Sequence, residues 1–159
     1  MLDFIYRSLV IGVAATALLD LWALFLKNAF GIPPANWAMV GRWFGHLTRG
    51  TAMHEDIAKA EPFPNELTVG WIGHYAVGVL FAAALLLLAG PAWKFAPTAV
   101  WPLIVGLVTV GCGWFILQPG MGAGIAASRR PNAGQIRLLN IAGHTVFGLG
   151  MFAAAWLIR

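Results

Sequence analysis

Residues 69–88 read VGWIGHYAVGVLFAAALLLL, without a charged side chain. A stretch of about 20 predominantly apolar residues is long enough to cross a bilayer as an α-helix. Three more such stretches lie at about 4–26, 100–117 and 138–158. Their apolar residues run continuously instead of alternating, which argues against a β-barrel. The sequence therefore predicts an all-α polytopic membrane protein, with four transmembrane helices in a single domain over 1–159.

Composition supports this prediction. Of the 159 residues, 60% are hydrophobic and 10% are charged, whereas soluble domains carry about 25% charged residues. So much apolar surface excludes both a small soluble fold and a disordered chain. The net charge of +4 comes from basic residues lying between apolar runs. We therefore predict the lipid bilayer, and not nucleic acid, as the partner.

The distribution of basic residues predicts an orientation. Seven of the ten Lys and Arg residues lie in the loops 27–68 and 118–137. Cytoplasmic loops carry an excess of Lys and Arg. We expect these two loops to be cytoplasmic and both termini to be outside.

The first loop contains a predicted short helix. Asn36 follows two prolines and is a residue type that caps helices. Trp37, Val40 and Phe44 then recur at helical spacing, whereas Arg42 lies on another face. Such an amphipathic helix is typical of the membrane interface, either as an anchor or as a lid over the helices.

Two helices share a motif, since Gly73-His74 to Gly78 matches Gly143-His144 to Gly148 after 70 residues. A duplicated two-helix hairpin explains the match, and chance similarity between glycine-rich and alanine-rich helices is the alternative. Glycine-rich faces also let helices approach closely. They would suit a homo-oligomer or a membrane partner.

Three ionisable residues fall at one predicted depth. At about 1.5 Å per residue, Asp20, His74 and His144 each lie about 8–9 Å from the cytoplasmic end of their helix. Intramembrane ionisable groups nearly always face the interior. The pattern predicts a shared site for a divalent metal or a proton, unless these side chains only join helices.

A weaker candidate site is basic. Arg129 and Arg130 follow the glycine-rich stretch 120–124 and, with Arg42, would suit an anion or a lipid headgroup. The glycine-rich stretch is not interpreted as a dinucleotide loop, because it follows a membrane helix instead of a strand. We expect a flexible or re-entrant turn.

Several strings carry a family resemblance, namely ATALLDLWAL (15–24), FGIP (30–33), NWAMVGRWFGH (36–46), QPGMGAGIAASRRP (118–131) and HTVFGLG (144–150). Together they resemble a bacterial inner-membrane family catalogued only as a domain of unknown function (number 2938). The resemblance spans nearly the whole chain. It implies a four-helix protein of the bacterial plasma membrane and supplies no activity or cofactor.

Three functions stay open on the sequence. The first is a small transporter-like or proton- or metal-handling protein that uses Asp20, His74 and His144. The second is a non-catalytic membrane subunit or a helper that binds lipid or a partner. The third is a b-type haem electron carrier with His74 and His144 as axial ligands. An enzyme is not favoured, because neither a GxSxG nor an HExxH motif occurs.

Overall fold

The computed structural model describes all residues, 1–159, and contains helices and no strand. This confirms the predicted all-α fold. The main helices are α1 (Leu2–Phe30), α2 (Trp37–Leu47), α3 (Glu66–Ala89), α4 (Val100–Cys112) and α6 (Ala133–Leu157), with a three-residue α5 (Gln118–Gly120) between the last two.

Four helical spans are long and apolar enough to cross a membrane, as the sequence predicted. They are Leu2–Phe30, Glu66–Ala89, Val100–Gly120 and Ala133–Leu157. The first extends beyond the predicted end at residue 26. It stops at Gly31, whose φ of 67° is the left-handed conformation that commonly ends a helix.

The third span is not a regular helix. Residues Gly113–Leu117 form a π-helical turn between α4 and α5. Pro119 explains this irregularity, because proline has no N–H to donate and its ring collides with the carbonyl four residues earlier. The wider turn lets the chain continue as a helix past that carbonyl, which belongs to Phe115.

The chain forms two compact units, and the first comprises Met1–Pro34, Tyr75–Thr109 and Ile141–Arg159. Its core includes Ile11, Leu85 and Met151, each at most 1% exposed. Small residues place these segments in backbone contact. A Cβ at Gly12 would lie 2.5 Å from the Cα of Val79, and one at Gly150 would lie 3.0 Å from the Cα of Ala15.

Ion pairs join both ends of the chain to the loop before α4 within this unit. Asp3 accepts from Arg7 at 2.8 Å and from Lys94 at 2.7 Å. Arg7 also donates to the carbonyl of Ile158 at 2.8 Å. The two termini and the loop at Lys94 therefore lie at one end of the first unit.

The second unit comprises Ala35–His74 and Val110–Asn140. The predicted short helix is present as α2, and the Asn36 side chain accepts from the backbone N–H of Met39 at 3.3 Å. Glycines bring α2 against the start of α3, because a Cβ at Gly41 would overlap the carbonyl oxygen of Glu66. The face of α2 that carries Arg42 is not wholly exposed, since Arg42 is buried.

Candidate functional site

Asp20 lies on the apolar helix α1, about one turn after the end of a buried stripe. That stripe consists of Ser8, Ile11, Gly12, Ala15 and Thr16. The hydroxyl of Tyr75, on α3, donates to Oδ2 of Asp20 at 2.9 Å. A carboxyl group and a phenol, both able to carry or release a proton, are therefore hydrogen-bonded between two membrane-spanning helices.

His144 is held by the third and fourth spans. Its Nδ1 lies 2.9 Å from the carbonyl oxygen of Gly106 and 3.2 Å from the hydroxyl of Thr109. The hydroxyl of Thr109 itself donates to the same Gly106 carbonyl. Because a carbonyl only accepts, Nδ1 carries the proton and donates to Gly106. The neutral ring then has its lone pair on Nε2, which is the nitrogen left for a further proton.

The glycine before His144 places α1 against α6 at the level of Asp20. A Cβ at Gly143 would lie 3.2 Å from Cδ1 of Leu19. Leu19 precedes Asp20, and Gly143 precedes His144. Asp20 and His144 therefore lie on neighbouring segments of the first unit.

His74 belongs to the second unit and lies among aromatic rings. Its imidazole stacks on the indole of Trp37, with 3.9 Å between ring centroids and 29° between planes. The indole of Trp71 approaches the same imidazole edge-on at 5.9 Å. The imidazole of His74 is therefore packed against two indoles of the second unit.

No group of three or more His, Cys, Asp or Glu side chains is arranged to hold a metal ion. Asp20 is hydrogen-bonded to Tyr75, His74 stacks on Trp37, and His144 is hydrogen-bonded to Gly106. The shared site of all three stays a prediction. Cys112, the one cysteine of the chain, is exposed on its helix.

The guanidinium of Arg42 is hydrogen-bonded to other groups of the second unit. Its Nε and Nη2 donate to the two carboxylate oxygens of Glu66, at 2.8 and 3.0 Å. Its Nη1 lies 3.0–3.2 Å from the carbonyls of Ile57, Ala58 and Ala60. The hydrogen bonds that Arg42 donates to Glu66 raise the pKa of the guanidinium, although burial acts in the opposite direction. Arg42 therefore connects the first loop to α3, and an anion could bind to Arg42 only by displacing Glu66.

Arg129 and Arg130, by contrast, are exposed. They end a tight turn in which Gly122 and Gly124 have φ of 88° and 75°, and Ala126 has φ of 48°. Arg137, in the second turn of α6, donates from Nε to the carbonyl of Ala126 at 2.8 Å. Arg129 and Arg130 precede the start of α6, and their exposure leaves both guanidinium groups accessible to an anionic headgroup.

Sequence reasoning missed Tyr75 as the partner of Asp20. Two signals were available, because Tyr75 follows His74 directly and a buried phenol hydroxyl usually needs a partner. It also missed a polar group at the π-helical turn. There the indole of Trp114 and the side-chain amide of Gln118 donate to Oδ1 of Asn140, at 3.0 and 2.9 Å. The irregular helix brings these donors together, and no fixed spacing in the sequence encodes it.

Comparison with known proteins gives one match. The family model described as "Protein of unknown function (DUF2938)" matches residues 9–158, nearly the whole chain. No curated protein and no solved structure matches the chain.

Proposed function

We propose that this chain, which belongs to the DUF2938 family, is an integral membrane protein that transfers protons through Asp20, Tyr75 and His144. The observation that carries the proposal is the 2.9 Å hydrogen bond from Tyr75 to Asp20 between two apolar helices. Ionisable groups are costly inside a membrane, and they usually mark ion pathways or proton relays. A bacterial inner-membrane location, implied by the sequence resemblance, belongs to the same proposal.

The chemistry of each group suits a proton. Oδ2 of Asp20 accepts a hydrogen bond from Tyr75, and carboxyl groups are among the side chains that relay protons within membranes. His144 can gain a proton at Nε2 without losing its bond to Gly106, because that bond uses Nδ1. A proton needs no cluster of three ligands, whereas a divalent metal of the predicted kind does.

The test is proton flux in liposomes that contain the purified full chain, driven by a potassium gradient with valinomycin and followed with an enclosed pH dye. We expect Asp20→Asn to reduce the flux to that of empty liposomes, because asparagine keeps the size and loses the proton. Tyr75→Phe should reduce it in part. Thr145→Val is the matched control, since the hydroxyl of Thr145 bonds only to the carbonyl of Ile141 in its own helix. Full flux in Asp20→Asn would overturn the proposal.

A second function, a membrane helper that binds anionic lipid, is favoured by the exposed pair Arg129 and Arg130. Each basic group near an anionic surface contributes about 1 kcal/mol. Replacing both with Gln should reduce retention of cardiolipin or phosphatidylglycerol by the purified protein. Arg42→Gln is not suitable for this comparison, because Arg42 is bonded to Glu66. Equal lipid retention in both proteins would exclude this function.

The haem hypothesis has its own test. The Nδ1 bond of His144 leaves Nε2 as the coordinating nitrogen, an arrangement seen in many metal-bound histidines. A Soret band in the purified protein would support haem, and its absence would exclude this alternative.

A further inference from the structure

Two histidines of the first loop face each other in the second unit. Nδ1 of His46, near the end of α2, lies 2.9 Å from Nε2 of His54. The other nitrogen of each ring faces a backbone carbonyl. Nε2 of His46 lies 2.8 Å from the oxygen of Glu61, and Nδ1 of His54 lies 3.0 Å from the oxygen of Gly120. All four ring nitrogens are therefore engaged in one chain of three contacts.

The protons in this chain can be counted. A carbonyl oxygen only accepts, so each imidazole must direct an N–H towards its own carbonyl. These two N–H groups are all that two neutral imidazoles possess. The nitrogens between the rings would then both present lone pairs, and 2.9 Å between them would be repulsive. One further proton between the rings turns this contact into an N–H···N hydrogen bond.

We infer that His46 and His54 together form a proton-binding site, and that they share one proton as an imidazole–imidazolium pair. The pair has three N–H groups and a single positive charge. With no extra proton, one of the three contacts is lost to lone-pair repulsion. With two extra protons, two N–H groups oppose each other. The geometry is satisfied only in the intermediate state. This inference does not depend on the proposed transfer through Asp20.

The surrounding charges are compatible with one positive charge on the pair. On the segment that carries His54, three acidic residues stand against one basic residue, namely Glu55, Asp56 and Glu61 against Lys59. On α2, Arg42 is compensated by Glu66. Arg49, just after α2, lies over the ring of Phe63 at 4.9 Å. The turn that supplies the Gly120 carbonyl has its charged residues further on, at Arg129 and Arg130.

The histidine pair and its carbonyl partner Gly120 connect three separate stretches of the second unit. His46 lies on α2, His54 on the following loop, and Gly120 at the end of α5. The backbone N–H of His54 also donates to Gly120, at 2.9 Å. Loss of the proton, or binding of a second one, would weaken the connection between α2 and this loop. The pair therefore makes this polar region of the protein sensitive to pH.

The test is nitrogen NMR of the full chain in detergent micelles, with ¹⁵N-labelled histidine. The chain has four histidines, and the variants His46→Gln and His54→Gln assign the two of interest. Near neutral pH, we expect three of the four ring nitrogens of the pair to be protonated. We also expect a scalar coupling between Nδ1 of His46 and Nε2 of His54, transmitted through the shared hydrogen bond.

In either variant this coupling must disappear. The remaining histidines, His74 and His144, are internal controls and should show no coupling between rings. Two protonated nitrogens in the pair would mean two neutral rings and would overturn the inference, as would four. The spectrum of the unmodified protein decides the matter even where one variant fails to fold, because the proton count and the coupling are measured there.

Discussion

At the scale of single residues, one buried polar side chain of the second unit connects separate segments of the chain. Arg42 has a side chain only 9% exposed, and it joins α2 to Glu66 and to three carbonyls of the first loop. Removing one partner of a buried ion pair leaves the other charge uncompensated, which costs more than the pair contributes when intact.

We predict that Arg42→Ala lowers the free energy of unfolding by about 3 kcal/mol. The loss combines the bidentate contact with Glu66 and the carbonyls that lose their donor. Unfolding of the purified protein in mixed micelles, followed by circular dichroism, measures it. Arg49→Ala is the control. Arg49 is exposed and makes a cation–π contact with Phe63, so its loss should cost less than about 1 kcal/mol. Equal effects of the two substitutions would contradict this role of Arg42.

Single residues also show which contacts could not be predicted from the sequence. Asp20 and His144 could be identified from the sequence, because a charged or titratable side chain is rare in an apolar membrane helix and usually has a function. The partners could not be identified, since Tyr75 and Gly106 are brought to them by helix packing. The pair of His46 and His54 was invisible for the same reason. One lies on a helix and the other on an irregular loop, so no periodicity relates them.

At the scale of elements, glycines set the distance between α2 and α3. A Cβ at Gly41 would overlap the carbonyl oxygen of Glu66, and one at Gly70 would overlap that of Trp37. Small residues with this function were expected between the long helices. They occur here between a membrane-spanning helix and the short amphipathic one, which fixes α2 against the first turns of α3.

We predict that Gly41→Ala and Gly70→Ala each destabilise the protein by about 1–3 kcal/mol, because the added methyl group must separate two backbones. Gly134→Ala is a matched control on α6, where a Cβ would meet nothing within 4 Å. Alanine has the higher helix propensity, so this change should leave stability equal or raise it by up to about 1 kcal/mol. The three variants are compared by thermal unfolding in one detergent. A similar loss in all three would contradict the role of close packing, because the added methyl group of Gly134→Ala meets nothing within 4 Å.

The helices and the π-helical turn differ in how well the hydrophobicity of the sequence predicts them. The four long helices follow from uninterrupted apolar stretches, and the cap of α2 follows from Asn36. The π-helical turn does not, because apolar composition is the same for a regular and an irregular helix. Pro119 is visible in the sequence, but a proline indicates a break in a helix and not the kind of turn that precedes it. Pro119 lies in the first turn of α5, and the helix before it has a wider, π-helical turn.

At the scale of the whole molecule, charge distribution predicts how the chain enters the membrane. Seven of the ten basic residues lie in the loops 27–68 and 118–137. In the first unit, Lys94 and the two chain ends share a network through Asp3, so they belong to the same membrane side. The excess of Lys and Arg on the other loops predicts that this network faces outwards.

We predict opposite accessibility for two engineered cysteines in a Cys112→Ala background. Ala96→Cys lies in the exposed loop before α4, and Ser128→Cys lies in the exposed turn before α6. A thiol reagent that does not cross membranes should label Ala96→Cys in intact cells, and it should label Ser128→Cys only after permeabilisation. The parent without cysteine is the blank, and denatured samples show that both sites can react. The reverse labelling would mean that the charge bias is overridden during insertion. In that case the pair of His46 and His54 would experience the external pH instead of the cytoplasmic one.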